Sequence, residues 1–347
     1  MTVTVPAKEL EDFADRILTA AGLAPADARA AAFGLVEANL RGVDSHGVLR
    51  LIQYTASLAA GDVSARPRVR VIMRGGAAAL IDAGGGYGYR PSGLAVDEAV
   101  DRAREYGIGV AGVRNSHHFG MAALYTARGA RAGMITFAWT NASPRIAPPE
   151  STSAVSGNNP LSWAVPRAAP HPPIVLDMAL TSVAFGKIRL AHAEGRPIPA
   201  DWGLDRHGRA TTDAAEAFAS GLLGPIGAHK GYGLSLIGEI LAGCLTGSPF
   251  GLDSNSHANP GGGVGHLFAA IRPDVFGDQA AFEARVEALV KQVKAIRTAG
   301  GGQARLPGEI EDGIAAARRR DGVPLSDALH EQLMALAERL GLAPLTR

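Results

Sequence analysis

From about residue 66 the chain alternates short apolar runs of strand character (79–83, 108–113, 134–140 and 174–178) with stretches of helical spacing near 91–106, 120–132 and 231–246. Such alternation calls for an α/β or mixed-sheet core, because the faces of a buried sheet must be covered by helices. The two ends read differently. Leu10, Phe13, Ile17 and Leu18 keep helical spacing up to Gly22, and Pro25 suits the first turn of a second helix running to about Leu40. Ser45 is a candidate N-cap for a third, through Val48, Leu51, Ile52 and Leu58 to Gly61. A Gly- and Pro-rich excursion at 247–265 precedes a strand at 267–271 and an amphipathic helix near 279–297. Leu329, Leu333, Leu336 and Leu340 then form one apolar helical face. Helical ends around a sheet-rich middle predict that the termini pack together, so 347 residues should divide into discontinuous subdomains.

Several classes of partner are disfavoured. Hydrophobic content of 47% against 19% charged residues fits a globular chain. A formal net charge of +1, with no concentrated basic run, argues against nucleic acid. No apolar stretch reaches 18 residues, so no transmembrane helix and no membrane partner are expected. The N-terminus shows no secretory pattern, and the single cysteine cannot form an intramolecular disulfide, so a cytoplasmic location is expected. Cys244 lies in the apolar run 241–245 and reads as buried packing.

The obvious phosphate loop fails. Gly84, Gly85, Gly86 and Gly88 follow a strand, but the third position of G-x-G-x-x-G is Tyr89 or Pro91 depending on register, so a simple glycine turn is the better reading. The P-loop pattern fails as well, since Lys187 precedes Ile188 and position 181 is Thr181.

Four segments carry chemistry. If a helix starts at Ser45, then His46, Arg50 and Tyr54 lie four residues apart on one face. A guanidinium there can grip a carboxylate and an imidazole can move a proton, although an ordinary solvated face has the same spacing. Asn115, His117 and His118 follow a buried strand; adjacent histidines diverge on regular backbone, so they suit a proton-transfer or a capping role better than one shared metal. Asn141, Asn159 with Pro160, and Asp177 through Met178 and Ala179 stand at strand ends, where amides and a carboxylate suit nucleotide recognition or simple turns. Lys230 and Gly231 open an apolar helix, a cation with free amides that can cradle phosphate or remain a solvated helix start. Pro307, Gly308 and Glu309 read as a turn.

Together and in order, RGVDSHGVLRL (41–51), VRNSHHFG (113–120), WTNASP (139–144), NNPLSWAVP (158–166), VLDMALTSVAFGKI (175–188), KGYGL (230–234) and LPGE (306–309) resemble the type 2 malate/L-lactate dehydrogenase family. That family also holds ureidoglycolate and sulfolactate dehydrogenases, diketogulonate reductase and piperideine-2-carboxylate reductase. The resemblance implies a mixed α/β, non-Rossmann dinucleotide fold. It implies His46 as proton donor with His118 as a second acid/base, and Arg50 as the carboxylate clamp beside Ser45, Tyr54 and Asn115. NAD or NADP, held without a covalent bond or a metal, would lie against Asn141, Asn159, Pro160, Asp177, Met178, Ala179, Thr181, Lys230, Gly231, Pro307, Gly308 and Glu309. A homodimer is implied, with 1–65 plus 300–347 as a helical domain, 66–120 plus 267–299 for substrate and dimerisation, and 121–266 for the dinucleotide. The chain departs from the family pattern at Pro149–Thr152 and at Gly157–Pro160.

The expected reaction is hydride transfer to C2 of a small anionic 2-oxo acid, or its reverse. Reduction of a cyclic imino acid is the near alternative. A metal-dependent hydrolase using Asp44, His46 and His117 or His118 is the alternative from another class.

Overall fold

The computed structural model describes residues 2–345. β1 (Thr2–Val5) leads into α1 (Ala7–Ala20), α2 (Pro25–Leu40) and α3 (Arg50–Ala60). The spacing that marks α1 also buries it: Leu10, Phe13, Ile17 and Leu18 face inward, each contributing about 1.5–3 kcal/mol of transfer free energy. Pro25 takes the first turn of α2, where a missing N–H sacrifices no intrahelical bond.

One seven-stranded sheet follows. β2 (Arg70–Gly75) and β3 (Ala78–Asp82) form a hairpin, α4 (Tyr89–Tyr106) crosses to β4 (Ile108–Ser116), and α5 (Ala123–Arg131) leads to β5 (Ile135–Thr140), β6 (Leu161–Val165) and β7 (Ile174–Met178). A side unit holds α6 (Phe185–Ala193), the two-residue strands β8 (Gly203–Leu204) and β9 (Ala210–Thr211), and α7 (Ala214–Ser220). The chain returns through α8 (His229–Gly238), a π-helical turn at Glu239–Cys244, and β10 (Val264–Ile271). Across the sheet the order is β2-β3-β4-β10-β5-β6-β7, and every neighbouring pair is antiparallel except β3 with β4. The expected alternation therefore yields a single parallel crossover, β3–α4–β4, because loops rather than helices join β5, β6 and β7. Gly109 makes the crossover possible, since a Cβ there would stand 2.0 Å from the Ala99 carbonyl oxygen.

Beyond the sheet lie α9 (Gln279–Ala295), α10 (Glu309–Asp321), β11 (Val323–Ser326) and α11 (Asp327–Arg339). β11 runs antiparallel to β1 with Val323 opposite Val5, and Leu325, Leu333 and Leu336 share one core with Leu10, Phe13, Leu35 and Leu51. α9 carries the expected apolar side, with Val290 buried, Phe282, Val286 and Val293 half-buried, and Leu289 exposed. One expectation needs correction. Cys244 is exposed, because the helix carrying it packs one side toward β10 and leaves the other open.

Topology explains why distant motifs meet. β3, β4, β5 and β7 run the same way, so their carboxyl ends and the starts of β10 and β6 line one sheet edge. Beneath that edge Glu239 is almost fully buried. One carboxylate oxygen accepts from the Gly157 amide at 3.2 Å and Asn159 Nδ2 at 2.9 Å; the other accepts from Asn141 Nδ2 at 3.1 Å and the Gly251 amide at 3.0 Å. Each donor left unpaired in the interior costs about 1–3 kcal/mol. Glu239→Ala should therefore lower unfolding free energy by at least about 3 kcal/mol in urea titration. A loss under about 1 kcal/mol would mean that water replaces the carboxylate freely.

Candidate functional site

The loop before α3 is shaped by Asn39. Its side chain donates to Asp44 Oδ1 at 2.6 Å and accepts from the Val48 amide at 2.8 Å. Gly47 passes so close that a Cβ would lie 2.2 Å from Asn39 Oδ1. The backbone is consequently extended at Gly47, Asp44–His46 forms a short 3-10 turn, and α3 begins at Arg50 rather than near Ser45. Ser45 is thus no helix cap; its Oγ instead lies 3.0 Å from His46 Nδ1. Asp44 is engaged by Arg318 at 2.7 Å as well as by Asn39.

The single polar stripe does not exist as one helical face, yet its residues still converge. Arg50 is braced by Nε donating to the Ser45 carbonyl at 2.8 Å and one terminal nitrogen donating to Gln53 Oε1 at 2.8 Å, which leaves its other terminal nitrogen without a protein partner among the described residues. His118, beyond the end of β4, stacks on His46 with ring centroids 5.3 Å apart. Tyr54 is fully buried, so it does not meet substrate; its hydroxyl lies 2.6 Å from His118 Nδ1 and 3.0 Å from the Tyr89 hydroxyl. Together with the Gly120 amide, which donates to the same Nδ1 at 3.3 Å, that contact fixes the imidazole of His118 and leaves its Nε2 unpaired among the described residues. The side chain of Asn115 is turned away to Asp82 at 3.1 Å. His117 diverges from His118, as adjacency required, and reaches the Asn259 carbonyl at 2.8 Å.

Sequence reasoning missed His257. It sits in the 247–265 excursion and also stacks on His118, with ring centroids 5.4 Å apart and 29° between the planes. The Ser143 and Ser256 side chains hold this loop reciprocally, each accepting from the other residue's amide at 3.1 Å, and the His118 amide donates to the Ser256 carbonyl at 3.1 Å. A histidine in a Gly-rich loop carries no periodic signal, so nothing local marked it.

Burial, then the Arg50 charge, pushes the pKa of His46 and of His257 down to about 4 and that of His118 well down. Burial likewise raises Tyr54 to about 12. At neutral pH the imidazoles are uncharged and the phenol keeps its proton. Among the described residues no group of three or more His, Cys, Asp or Glu is arranged to hold a metal ion, and Asp44 is committed to Arg318 and Asn39.

The residues expected at the dinucleotide divide into two sets. Asn141 and Asn159 are buried with their amides committed: Asn141 Nδ2 to Glu239, Pro249 and Ser254, and its Oδ1 to the Gly265 amide; Asn159 to Glu239, the Ser235 carbonyl and the Ala142 amide. These side chains are scaffold. The second set stays open. Asp177 holds the Ala123 amide with Oδ2 at 2.8 Å; its outer side faces solvent, yet the protein around the carboxylate pushes its pKa up to about 6. Thr181 bridges to Pro225, and the Ile226 amide donates to the Leu180 carbonyl at 3.0 Å, which sets the Met178–Ala179 backbone close to the turn that starts α8. Lys230 is exposed there. The first amides of α8 have no side-chain cap, and a Cβ on Gly231 would strike the Ile226 carbonyl at 2.2 Å. A cation beside uncapped helix amides fits a diphosphate. Pro307 accepts from the Val175 amide at 3.2 Å, and Glu309 is pinned by the Leu306 amide at 2.9 Å and by Lys294 at 2.5 Å.

The profile of the malate/L-lactate dehydrogenase family matches residues 5–334. The chain belongs to that family. It is 33% identical over 349 residues to a malate dehydrogenase of Pyrococcus abyssi, covering 98% of this chain and 96% of that one. It is 35% identical over 340 residues to a (2R)-3-sulfolactate dehydrogenase (NADP(+)) of Chromohalobacter salexigens, covering 97% and 99%. The fold matches the crystal structure of a Δ1-piperideine-2-carboxylate reductase from Pseudomonas syringae with a TM-score of 0.87 and 33% identity, over 97% of this chain and all of that one. These relatives are oxidoreductases, and so is this chain.

The depressed histidines have a cost in acid. Below about 6.5 the unfolded chain protonates them, while the folded chain resists down to about 4 at His46 and His257 and about 3 at His266. Their stability is complete above pH 6.5 and is lost as pH falls toward those values; Asp177, raised to about 6, acts in the opposite sense but is one group against several. The urea midpoint should decline steadily from pH 7 to pH 5. A flat midpoint over that range would show that these rings are protonated in the folded protein.

Proposed function

We propose that the chain is an NAD(P)H-dependent oxidoreductase that transfers hydride to C2 of a small anionic 2-oxo acid and, in reverse, oxidises the 2-hydroxy acid. The observation that carries this reading is the convergence of a braced guanidinium at Arg50 with His118, whose Nδ1 is fixed by a buried tyrosine 2.6 Å away. Arg50 presents its open edge to the carboxylate. His118 gives its Nε2 proton to the oxygen developing on C2, or accepts it in reverse, with His46 stacked beside it. Tyr54 acts through His118 by holding the ring. Holding reactants in register and moving this proton supply several orders of magnitude in rate. The nicotinamide, when bound, supplies or accepts the hydride. Asp177 through Thr181, Lys230 and Gly231 would hold the dinucleotide, with Pro307 through Glu309 flanking β7; Asn141 and Asn159 would shape that site from beneath. The helical domain of 1–65 plus 300–347 and the division of labour between 66–120 plus 267–299 and 121–266 belong to the same proposal. β10 joins the last two by pairing with both β4 and β5.

NADH and NADPH oxidation should be followed at 340 nm with pyruvate, oxaloacetate, sulfopyruvate, diketogulonate and piperideine-2-carboxylate. Turnover of an oxo acid is expected, with kcat reduced about a hundredfold or more in His118→Gln. Turnover of the cyclic imine alone would move the reading to imino acids. In the oxidative direction the neutral base should persist to low pH, so kcat/KM should stay level from pH 8 to about 5. A break near 6.5 would remove both His118 and His46 as the base.

For dimerisation we propose a departure from that division: a homodimer closed over the outer face of α8, within 121–266, rather than through 66–120 plus 267–299. Leu234, Ile237 and Ile240 recur three residues apart from α8 into the π-helical turn, Leu245 follows that turn, and all four are exposed in the single chain, Leu245 by 66%. Apolar exposure of this kind along one helix marks an interface. Ile237→Glu should halve the mass in sedimentation equilibrium; an unchanged mass would place the interface elsewhere.

A further inference from the structure

A cavity of about 860 Å³ is walled by α2, α4 and α5, a volume in the range of small-molecule sites. A second cavity of about 310 Å³ shares Arg41, Ala127 and Arg131 with it. Neither is lined by a residue assigned above to the substrate or the dinucleotide. The larger cavity has an apolar wall of Phe33, Leu94 and Leu124, and Phe33 is 47% exposed on a largely buried helix. Gly93 keeps that wall open. It stands inside α4, where glycine weakens a helix, yet a Cβ there would meet nothing closer than Arg128 Nη1 at 3.6 Å. Packing does not demand this glycine; its effect is to leave the cavity unfilled. Charge collects where the two cavities meet. Arg90, Arg128 and Arg319 on the rim are each held by a carboxylate, but Arg29 and Arg131 have no partner among the described residues. Arg41 is nine-tenths buried; one terminal nitrogen donates to Asp312 Oδ1 at 2.7 Å, while its Nε is enclosed with no acceptor. The smaller cavity adds the imidazole of His171, and its one lining carboxylate, Asp312, is already engaged by Arg41. A buried guanidinium with donors to spare, beside an unpaired one, is a receptor for an anion.

We propose that the two cavities form a second binding site, for a small amphipathic phosphate monoester whose head group lies between Arg41 and Arg131 and whose apolar body lies on Phe33, Leu94 and Leu124. A phosphate suits the smaller cavity because its terminal oxygens accept from several directions, and Arg41, Arg131 and His171 come from three separate chain segments. The apolar body suits the larger cavity, since covering Phe33 and its neighbours removes apolar surface from water on both sides of the contact. An inorganic anion meets only the charged part and an uncharged chain only the apolar part, so affinity requires a ligand that carries both. The site stands apart from the hydride-transfer reading, because it uses none of the residues on which that reading rests.

The test is isothermal titration calorimetry of the full chain with n-hexyl phosphate, inorganic phosphate, hexan-1-ol and heptanoate, each with and without saturating coenzyme. One hexyl phosphate per chain is expected, bound at least about tenfold more tightly than any other probe, whether or not coenzyme is present. Gly93→Leu extends a side chain into the cavity and should weaken hexyl phosphate at least about tenfold, while its melting temperature stays at or above that of wild type. Arg131→Gln should weaken hexyl phosphate by about tenfold and leave hexan-1-ol unchanged. The proposal is overturned by a wild type that does not bind hexyl phosphate, by affinity unchanged in both variants, or by equal or tighter binding of heptanoate. Binding that saturating coenzyme abolishes overturns it as well, since the cavity would then belong to the dinucleotide site. Should Gly93→Leu fail to fold, Arg131→Gln, at an exposed helix end, still decides the matter.

Discussion

The buried carboxylate of Glu239 is the interaction on which the reactive edge depends. Among the described residues it has no cationic partner in its hydrogen-bond shell; it is held by amides from the loop before β6, from Asn141 after β5, from Asn159 before β6 and from Gly251 in the long excursion. A charge in the interior is tolerated only when its lone pairs are filled this completely. The carboxylate in turn gathers three chain segments that share no sequence proximity. Glu239 also opens the π-helical turn, a local departure from α-helical register of the kind that concentrates at functional sites. The excursion anchored there carries Ser256 and His257 to His118. The alignment of the three rings is therefore a remote consequence of one satisfied acid.

Much of this was legible in the sequence, though not always for the reason the pattern suggested. α1 and α4 followed their apolar spacing because each buries one face. The Arg50–Tyr54 step was sound, as both lie on α3, but His46 fell outside the helix because Gly47 has no Cβ to hold off Asn39. β6 was not legible: five residues with one outward Trp163 give no run long enough to stand out. The terminal strands β1 and β11 are only four residues each and become strands by pairing with one another across the whole chain. Periodicity reports local burial and has no way to report such a partner.

Motif residues posed a different difficulty. Asn141, Asn159 and Tyr54 stood out by type and position, and each lies at the site, yet each spends its polar atoms on other protein groups. A motif shows that a residue type is needed at a place; whether it touches a ligand or holds the residue that does is decided by burial and by the count of unspent donors. By that count Arg50, His46, His118 and His257 are the residues of this cluster with polar atoms left unpaired among the described residues. Three were visible beforehand, and the fourth lay in a segment whose only sequence character was flexibility.

The electrostatics of these four residues bear on how the site works. Burial depresses His118 most, and Arg50 adds to it. On the proposed reading, the empty site holds a neutral imidazole suited to accepting a proton from a 2-hydroxy acid and poorly suited to giving one to an oxo acid. A substrate carboxylate at Arg50 alters that balance, because its negative charge cancels part of the field that disfavours imidazolium. In the proposed reaction a carboxylate seated at Arg50 raises the proton affinity of His118, so the substrate itself favours the acid form that reduction needs. An ammonium in place of Arg50 would still supply charge, but it lacks the planar fork that can be braced on Ser45 and Gln53 while an edge stays free. In the proposed reaction the guanidinium permits one residue to clamp the substrate and to set the protonation of the ring beside it.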